Sequence, residues 1–116
     1  MSSNRSQLTV LMAVYNGNPF LRTAIDSILN QTYRDFRFLI VDDASTDDPR
    51  EIVRSYDDSR IRLLCLPHNV GQTAALNVGL RNASTQWLAR MDADDYSSPI
   101  RFEEQMRALA EDSSLD

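Results

Sequence analysis

LTVLMAV, residues 8–14, decides the fold class. Only Thr9 interrupts a continuous apolar run of strand-forming residues. A strand with one wet face alternates apolar and polar side chains, and this one does not. Such a run suits a strand covered on both faces, as in a parallel sheet. Three more stretches have the same character: residues 36–41 (FRFLIV), 61–66 (IRLLCL) and 86–91 (QWLARM).

Helical patterns fill the gaps. Asn18-Pro19 fits a helix start, with Asn as cap and Pro at the first helical position. Phe20, Leu21, Ala24, Ile25, Ile28 and Leu29 then repeat at helical spacing. Asp48-Pro49-Arg50-Glu51 predicts a second start, with Glu51 placed to reach back as in a capping box. Residues 71–82 predict a third helix, and Gly79 inside it costs about 1 kcal/mol against alanine, so close packing is its expected reason. Ser98-Pro99 predicts a fourth start, followed by Phe102, Met106 and Leu109 on one face. Strands alternating with helices mean an α/β layer structure: a mostly parallel sheet of about four strands flanked by helices, Rossmann-like, with right-handed crossovers. Ligands of such sheets bind outside the carboxyl ends of the strands, where the strand order reverses.

Composition narrows the function classes. The 116 residues are expected to form a single domain, residues 1–116. The 12 basic and 17 acidic residues leave a net charge of −5, and the basic residues are all arginine. No basic face is visible, so a nucleic-acid partner is not expected. The N-terminal MSSNRSQ is polar, unlike a signal peptide, and no apolar run approaches the ~20 residues of a membrane span. Cys65, the one cysteine, is expected to be a buried structural thiol in a reducing compartment. The last residues, up to Asp116, follow a helix-like stretch with no closing element, so a longer protein is expected.

The carboxylates concentrate at strand ends. Asp42-Asp43-Ala44-Ser45-Thr46-Asp47-Asp48 follows the second run, and Asp92-Ala93-Asp94-Asp95 the fourth. Helix capping accounts for Asp47, Asp48 and Ser98. It does not account for Asp92, Asp94 and Asp95, because Ser98 already holds the cap position. Two unit charges ~4 Å apart repel by about 1 kcal/mol in water and about 4 kcal/mol at an effective dielectric of 20. In a cleft, such a cluster calls for a cation. Mg²⁺-type sites use one or two carboxylates plus substrate phosphates, so Asp-x-Asp at a strand end suits a metal–diphosphate site.

Five segments together resemble one family: AVYNG (13–17), SILNQTYRDF (27–36), VDDASTD (41–47), NVGQTAALNVGL (69–80) and ARMDADD (89–95). In order and spacing, residues 8 to about 110 are similar to glycosyltransferase family 2. The resemblance implies the GT-A (nucleotide-diphospho-sugar transferase) fold, truncated, with strand one between strands two and four. It implies an inverting hexosyltransferase that moves a sugar from a nucleotide-diphospho-sugar, a UDP-sugar first, to the hydroxyl of a carbohydrate or lipid-linked acceptor. The backbone of Ala13, Val14 and Tyr15 would cup the nucleobase, and Asp43 would accept a hydrogen bond from it. Asp92 would contact the ribose or a metal-bound water. Asp94 would ligate Mn²⁺ or Mg²⁺, with Asp95 as a substitute ligand. Many relatives carry Arg or Lys where Leu76 stands here, which leaves Gln72 or Arg81 as stand-ins toward the phosphates. His68 is expected at the surface.

The resemblance places the family's general base, a carboxylate, beyond Asp116, together with the acceptor-binding half, so no catalytic residue is assigned within the 116. This portion is therefore expected to bind the nucleotide and to transfer little or no sugar, at the cytoplasmic face of a membrane in the full-length protein. The alternative is a non-catalytic nucleotide-sugar-binding or assembly module on the same fold. A receiver domain needs a lysine on its last strand, and the chain has none. An aspartate-nucleophile phosphohydrolase places its Asp-x-Asp after the first strand, not the fourth. A P-loop is absent from the sequence.

Overall fold

Among the described residues, strands and helices alternate in strict order: β1 (Leu8–Val14), α1 (Leu21–Leu29), β2 (Phe36–Asp42), α2 (Pro49–Arg54), β3 (Ile61–Cys65), α3 (Gln72–Asn82), β4 (Trp87–Arg90) and α4 (Arg101–Glu111). The structure is a computed structural model that describes residues 7–16, 20–47, 49–91 and 99–111. The strands form one sheet in the order β3-β2-β1-β4. Every neighbouring pair is parallel, with Leu8 beside both Phe36 and Trp87 and Phe38 beside Ile61.

The continuous apolar run of β1 is explained by burial on both sides. Leu8, Val10, Met12 and Val14 join Phe36, Phe38 and Ile40 in a core with Leu21, Ala24, Ile25 and Ile28 of α1, Val53 of α2 and Phe102 of α4. The alternate residues, Leu11 of β1 with Leu39 and Val41 of β2, pack on Ala75 of α3. Three helices thus cover one face and α3 the other. The chain steps β1 to β2 to β3 in one direction with α1 and α2 on one face. It then returns past β1 to β4 with α3 on the opposite face. Reversing both direction and face keeps the same hand in all three crossovers.

Gly79 has the reason that its cost demanded. A Cβ on it would lie 2.3 Å from Leu11 Cδ1 and 3.2 Å from Val41 Cγ2, so α3 approaches the sheet closely only because the side chain is missing. A different device fastens α4. Gln31 is fully buried after α1. Its Nε2 donates to Ser27 O at 3.2 Å, and its Oε1 accepts from the Phe102 N–H at 3.0 Å. One of the orphan donors of the α4 N-terminus is thereby satisfied from another helix. The Thr32 N–H donates to Pro99 O at 2.8 Å, in parallel with it.

Some expectations need correction or fall outside view. Cys65 is exposed, not buried. It is the last residue of β3, an edge strand, so no further strand covers its outer side. The caps at Asn18-Pro19, Asp48 and Ser98 lie in whole or part outside the described residues, and Phe20, which precedes α1, makes no side-chain cap bond. Asp116, beyond which the general base is expected, also lies outside the described residues.

Candidate functional site at the carboxyl edge of the sheet

Three loops leave the carboxyl edge side by side, and a web of hydrogen bonds ties them together. The Asp43 N–H donates to Val14 O at 2.8 Å and the Leu66 N–H to Asp42 O at 2.9 Å, so each loop begins locked to its neighbour. Asn16 then bridges the first two. Its backbone takes a left-handed φ of 54°, which asparagine tolerates better than most residues. Its Oδ1 accepts from the Thr46 N–H (2.8 Å), Thr46 Oγ1 (3.2 Å) and the Asp47 N–H (3.3 Å). In return the Asn16 N–H donates to Ser45 Oγ at 2.9 Å. Asp42 shapes the same loop from within, because its Oδ1 accepts from the Ser45 N–H at 3.0 Å.

Asp43 bridges the second and third loops. Its side chain is 3% exposed. Oδ1 accepts from the Val70 N–H at 2.8 Å, and Oδ2 from the Gly71 N–H at 2.9 Å and Asn69 Nδ2 at 3.1 Å. Asn69 Nδ2 also reaches Asp43 O at 3.2 Å. Gly71 has φ 94° with open space around it, so backbone conformation and not crowding requires glycine there. An ionised carboxylate offers about four lone-pair positions, of which these donors take three.

The predicted nucleobase residues fall on this edge. Ala13 and Val14 end β1, with Val14 buried, and Tyr15 projects from the edge half exposed. Asp43 lies directly beside them through its bond to Val14 O. Gln72 opens α3 next to the Asp43-bound turn, whereas Arg81 lies in the last turn of the same helix. Nine residues of helix separate them by roughly 14 Å, which removes Arg81 as a phosphate stand-in. Leu76, where the resemblance implied a cation, packs against the Leu11–Leu39–Val41 cluster. His68 is exposed, as expected.

Asp92, Asp94 and Asp95 lie outside the described residues. The strand that delivers them does not. β4 pairs with β1 on the side opposite β2, and the Met91 N–H donates to Leu11 O at 3.0 Å. Arg101 of α4 fastens the same point, donating from Nη2 to Arg90 O at 3.0 Å and approaching Met91 Sδ at 3.6 Å. The strand order therefore reverses across β1, between the Asp43 loop and the exit from β4. Among the described residues no group of three or more His, Cys, Asp or Glu side chains is placed to hold a metal ion.

Sequence reasoning included Asn16 and Asn69 in the segments that carry the resemblance but gave no bridging role to them or to Arg101. The Asn16-Gly17 dipeptide was a signal for a left-handed turn residue. Nothing local announced that its carbonyl would serve a loop 30 residues away.

Known proteins are similar to this chain in sequence and in fold. The model of "Glycosyl transferase family 2" matches residues 9–115. An uncharacterized glycosyltransferase of Haemophilus influenzae is 33% identical over 108 residues, which is 91% of this chain and 43% of that protein. The structure of S. aureus TarS 1–349 in complex with UDP-GlcNAc superposes with a TM-score of 0.86 at 25% identity, over 90% of this chain and 31% of that one. The mannosyltransferase PcManGT of Pyrobaculum calidifontis, in complex with GDP-Man and Mn²⁺, gives 0.82 at 28% identity, over 90% and 32%. The chain thus spans less than half of each of these relatives. A parallel β3-β2-β1-β4 sheet of GT-A type, loops wired across its carboxyl edge and a family match over nearly the whole length lead to one conclusion: the chain belongs to glycosyltransferase family 2.

Proposed function

We propose that this chain holds the donor-nucleotide site of an inverting, metal-dependent glycosyltransferase, with a UDP-sugar as the first donor to test. The observation that carries the proposal is the position of Asp43, buried beside the end of β1 where the strand order reverses, with three of its four lone-pair positions filled. The remaining lone pair is on Oδ1. A nucleobase N–H seated against the backbone of Ala13, Val14 and Tyr15 donates to it. Both structural neighbours described above are bound to nucleotide-sugars, one with uridine and one with guanosine, which supports this donor class.

Asp92 takes the ribose side of the donor, and Asp94, with Asp95 in reserve, supplies oxygen ligands for Mn²⁺ or Mg²⁺. PcManGT is in complex with Mn²⁺, which supports a divalent ion here. When bound, the ion stabilises the charge that the departing nucleoside diphosphate gains, more in the transition state than in the ground state. The protein's part is to hold the base, the ribose and the metal ligands in register, and the loops after β1, β2 and β3 are tied to one another by Asn16 and Asp43. The acceptor, a carbohydrate or lipid-linked hydroxyl, must lose its proton to a general base. That base belongs to a segment beyond Asp116, so these residues alone bind the donor and transfer little sugar.

Thermal unfolding with a panel of UDP, GDP and their sugars, with and without Mn²⁺, tests the proposal. A ligand at a hundred times its Kd adds about 2.7 kcal/mol of stability, a shift of about ten degrees for a domain of this size. The expected result is a metal-dependent rise for one nucleoside diphosphate and its sugars. No shift with any of them at millimolar concentration would contradict it.

A further inference from the structure

Asn16 has more bonding capacity than the wiring of the loops uses. Its Oδ1 accepts from the Thr46 N–H at 2.8 Å, Thr46 Oγ1 at 3.2 Å and the Asp47 N–H at 3.3 Å. Two of these donors are backbone amides, which only an oxygen can serve, so the side-chain amide cannot turn over. Nδ2 then has two N–H groups, and among the described residues neither meets an acceptor. The residue is exposed, so these donors open to solvent at the carboxyl edge of the sheet.

The wiring alone does not call for asparagine. An aspartate tolerates the left-handed φ of 54° as well, and its carboxylate accepts from the same three donors. What aspartate lacks is a donor. The place of this donor is set by its neighbours. Asn16 directly follows Ala13, Val14 and Tyr15, whose backbone is the proposed seat of the nucleobase. Its own N–H is tied to Ser45 Oγ at 2.9 Å, in the loop that carries Asp43. The amide is thus held at the rim shared by the two segments assigned to the base. The rest of a nucleoside diphosphate, ribose and phosphates, presents oxygen acceptors. Asp42, Asp43 and Asp47 offer such oxygens no donor when ionised, and they repel a diphosphate.

We propose that Asn16 contacts the ligand in the donor site, its Nδ2 donating to an oxygen of the ribose or diphosphate. The proposal rests on the donor-site reading above and adds a residue to it. Three hydrogen bonds to Oδ1 orient the amide before the ligand arrives, so little rotamer freedom is lost on binding.

The test is NMR of the 116-residue chain titrated with UDP and with GDP in the presence of Mg²⁺, read at the side-chain NH₂ signals of Asn16. A saturable shift of that pair is expected with the nucleotide that binds. Asn16→Asp keeps the acceptors for Thr46 and Asp47 but removes the donor, and it weakens binding on the order of tenfold, the effect of one lost hydrogen bond. The loss persists in about 1 M salt, where a Debye length of ~3 Å screens the added charge. The wild-type signals decide the matter even if that variant unfolds. The matching nucleoside separates the two oxygen sources: a shift of the Asn16 pair with the nucleoside identifies a ribose hydroxyl, and a shift with the diphosphate alone identifies a phosphate. Shifts at the backbone amides of residues 13–15 and 43 with the Asn16 pair unmoved overturn this proposal and leave the donor site standing, as does unchanged affinity in Asn16→Asp. If neither nucleotide moves any signal, the donor-site reading itself falls, and this proposal with it.

Discussion

Asp43 performs two tasks with one carboxylate. Its side chain folds the Asn69–Gly71 turn, and its position after β2, beside the end of β1, makes it the proposed contact for the nucleobase. Asp43→Asn leaves an amide donor facing donors at one oxygen position. We expect a loss of about 2–3 kcal/mol in chemical denaturation, the cost of unsatisfied buried groups, with faster hydrogen exchange at Val70 and Gly71. If the substitution were neutral in both measurements, the turn would not depend on this side chain. Tyr56 gives a second, independent prediction. Burial and its hydrogen bond to Asp26 Oδ1 at 2.6 Å push the phenol up to about 12. A folded value above the unfolded one contributes stability below about pH 10 that is lost as pH rises through about 12. Ultraviolet titration of the tyrosines should show the highest step vanish in Tyr56→Phe, and a wild-type curve with every step near 10 would refute it.

The elements themselves were largely legible. The apolar runs of β1 and β2 marked strands buried on both faces, and Gly79 announced a close approach that the 2.3 Å from its Cβ position to Leu11 confirms. Gly79→Ala should cost about 1–3 kcal/mol through overpacking against Leu11, although alanine is the better helix former. A stabilising effect in urea unfolding would show that the Leu11 side chain yields freely. What could not be read were partners set by the completed fold. Gln31 serves the Phe102 N–H from 71 positions away, and no local pattern distinguishes it from a surface glutamine. Gln31→Leu keeps the bulk but orphans that donor, so α4 should fray at its start, seen as lost protection of the Phe102 amide. Cys65 was misjudged for a related reason: an apolar run reports strand character, but only strand order tells which strand lies at the edge.

For the molecule as a whole, strand order is what brings together the strands that lead into the two acidic stretches. β1 lies between β2, which leads into Asp43, and β4, which leads into the Asp92–Asp95 segment, so a chain that separates them by about fifty residues brings their strands to either side of one. The family likeness anticipated that order, whereas charge and periodicity alone indicated only which loops to inspect. The central claim is that this arrangement binds a nucleoside diphosphate through a divalent ion held by Asp94. Titration calorimetry of UDP and GDP into the wild-type chain and into Asp94→Asn, with and without Mn²⁺, tests it most directly. The account predicts metal-dependent heat for one nucleotide in the wild type and its loss in Asp94→Asn; equal heats from the two proteins would contradict it.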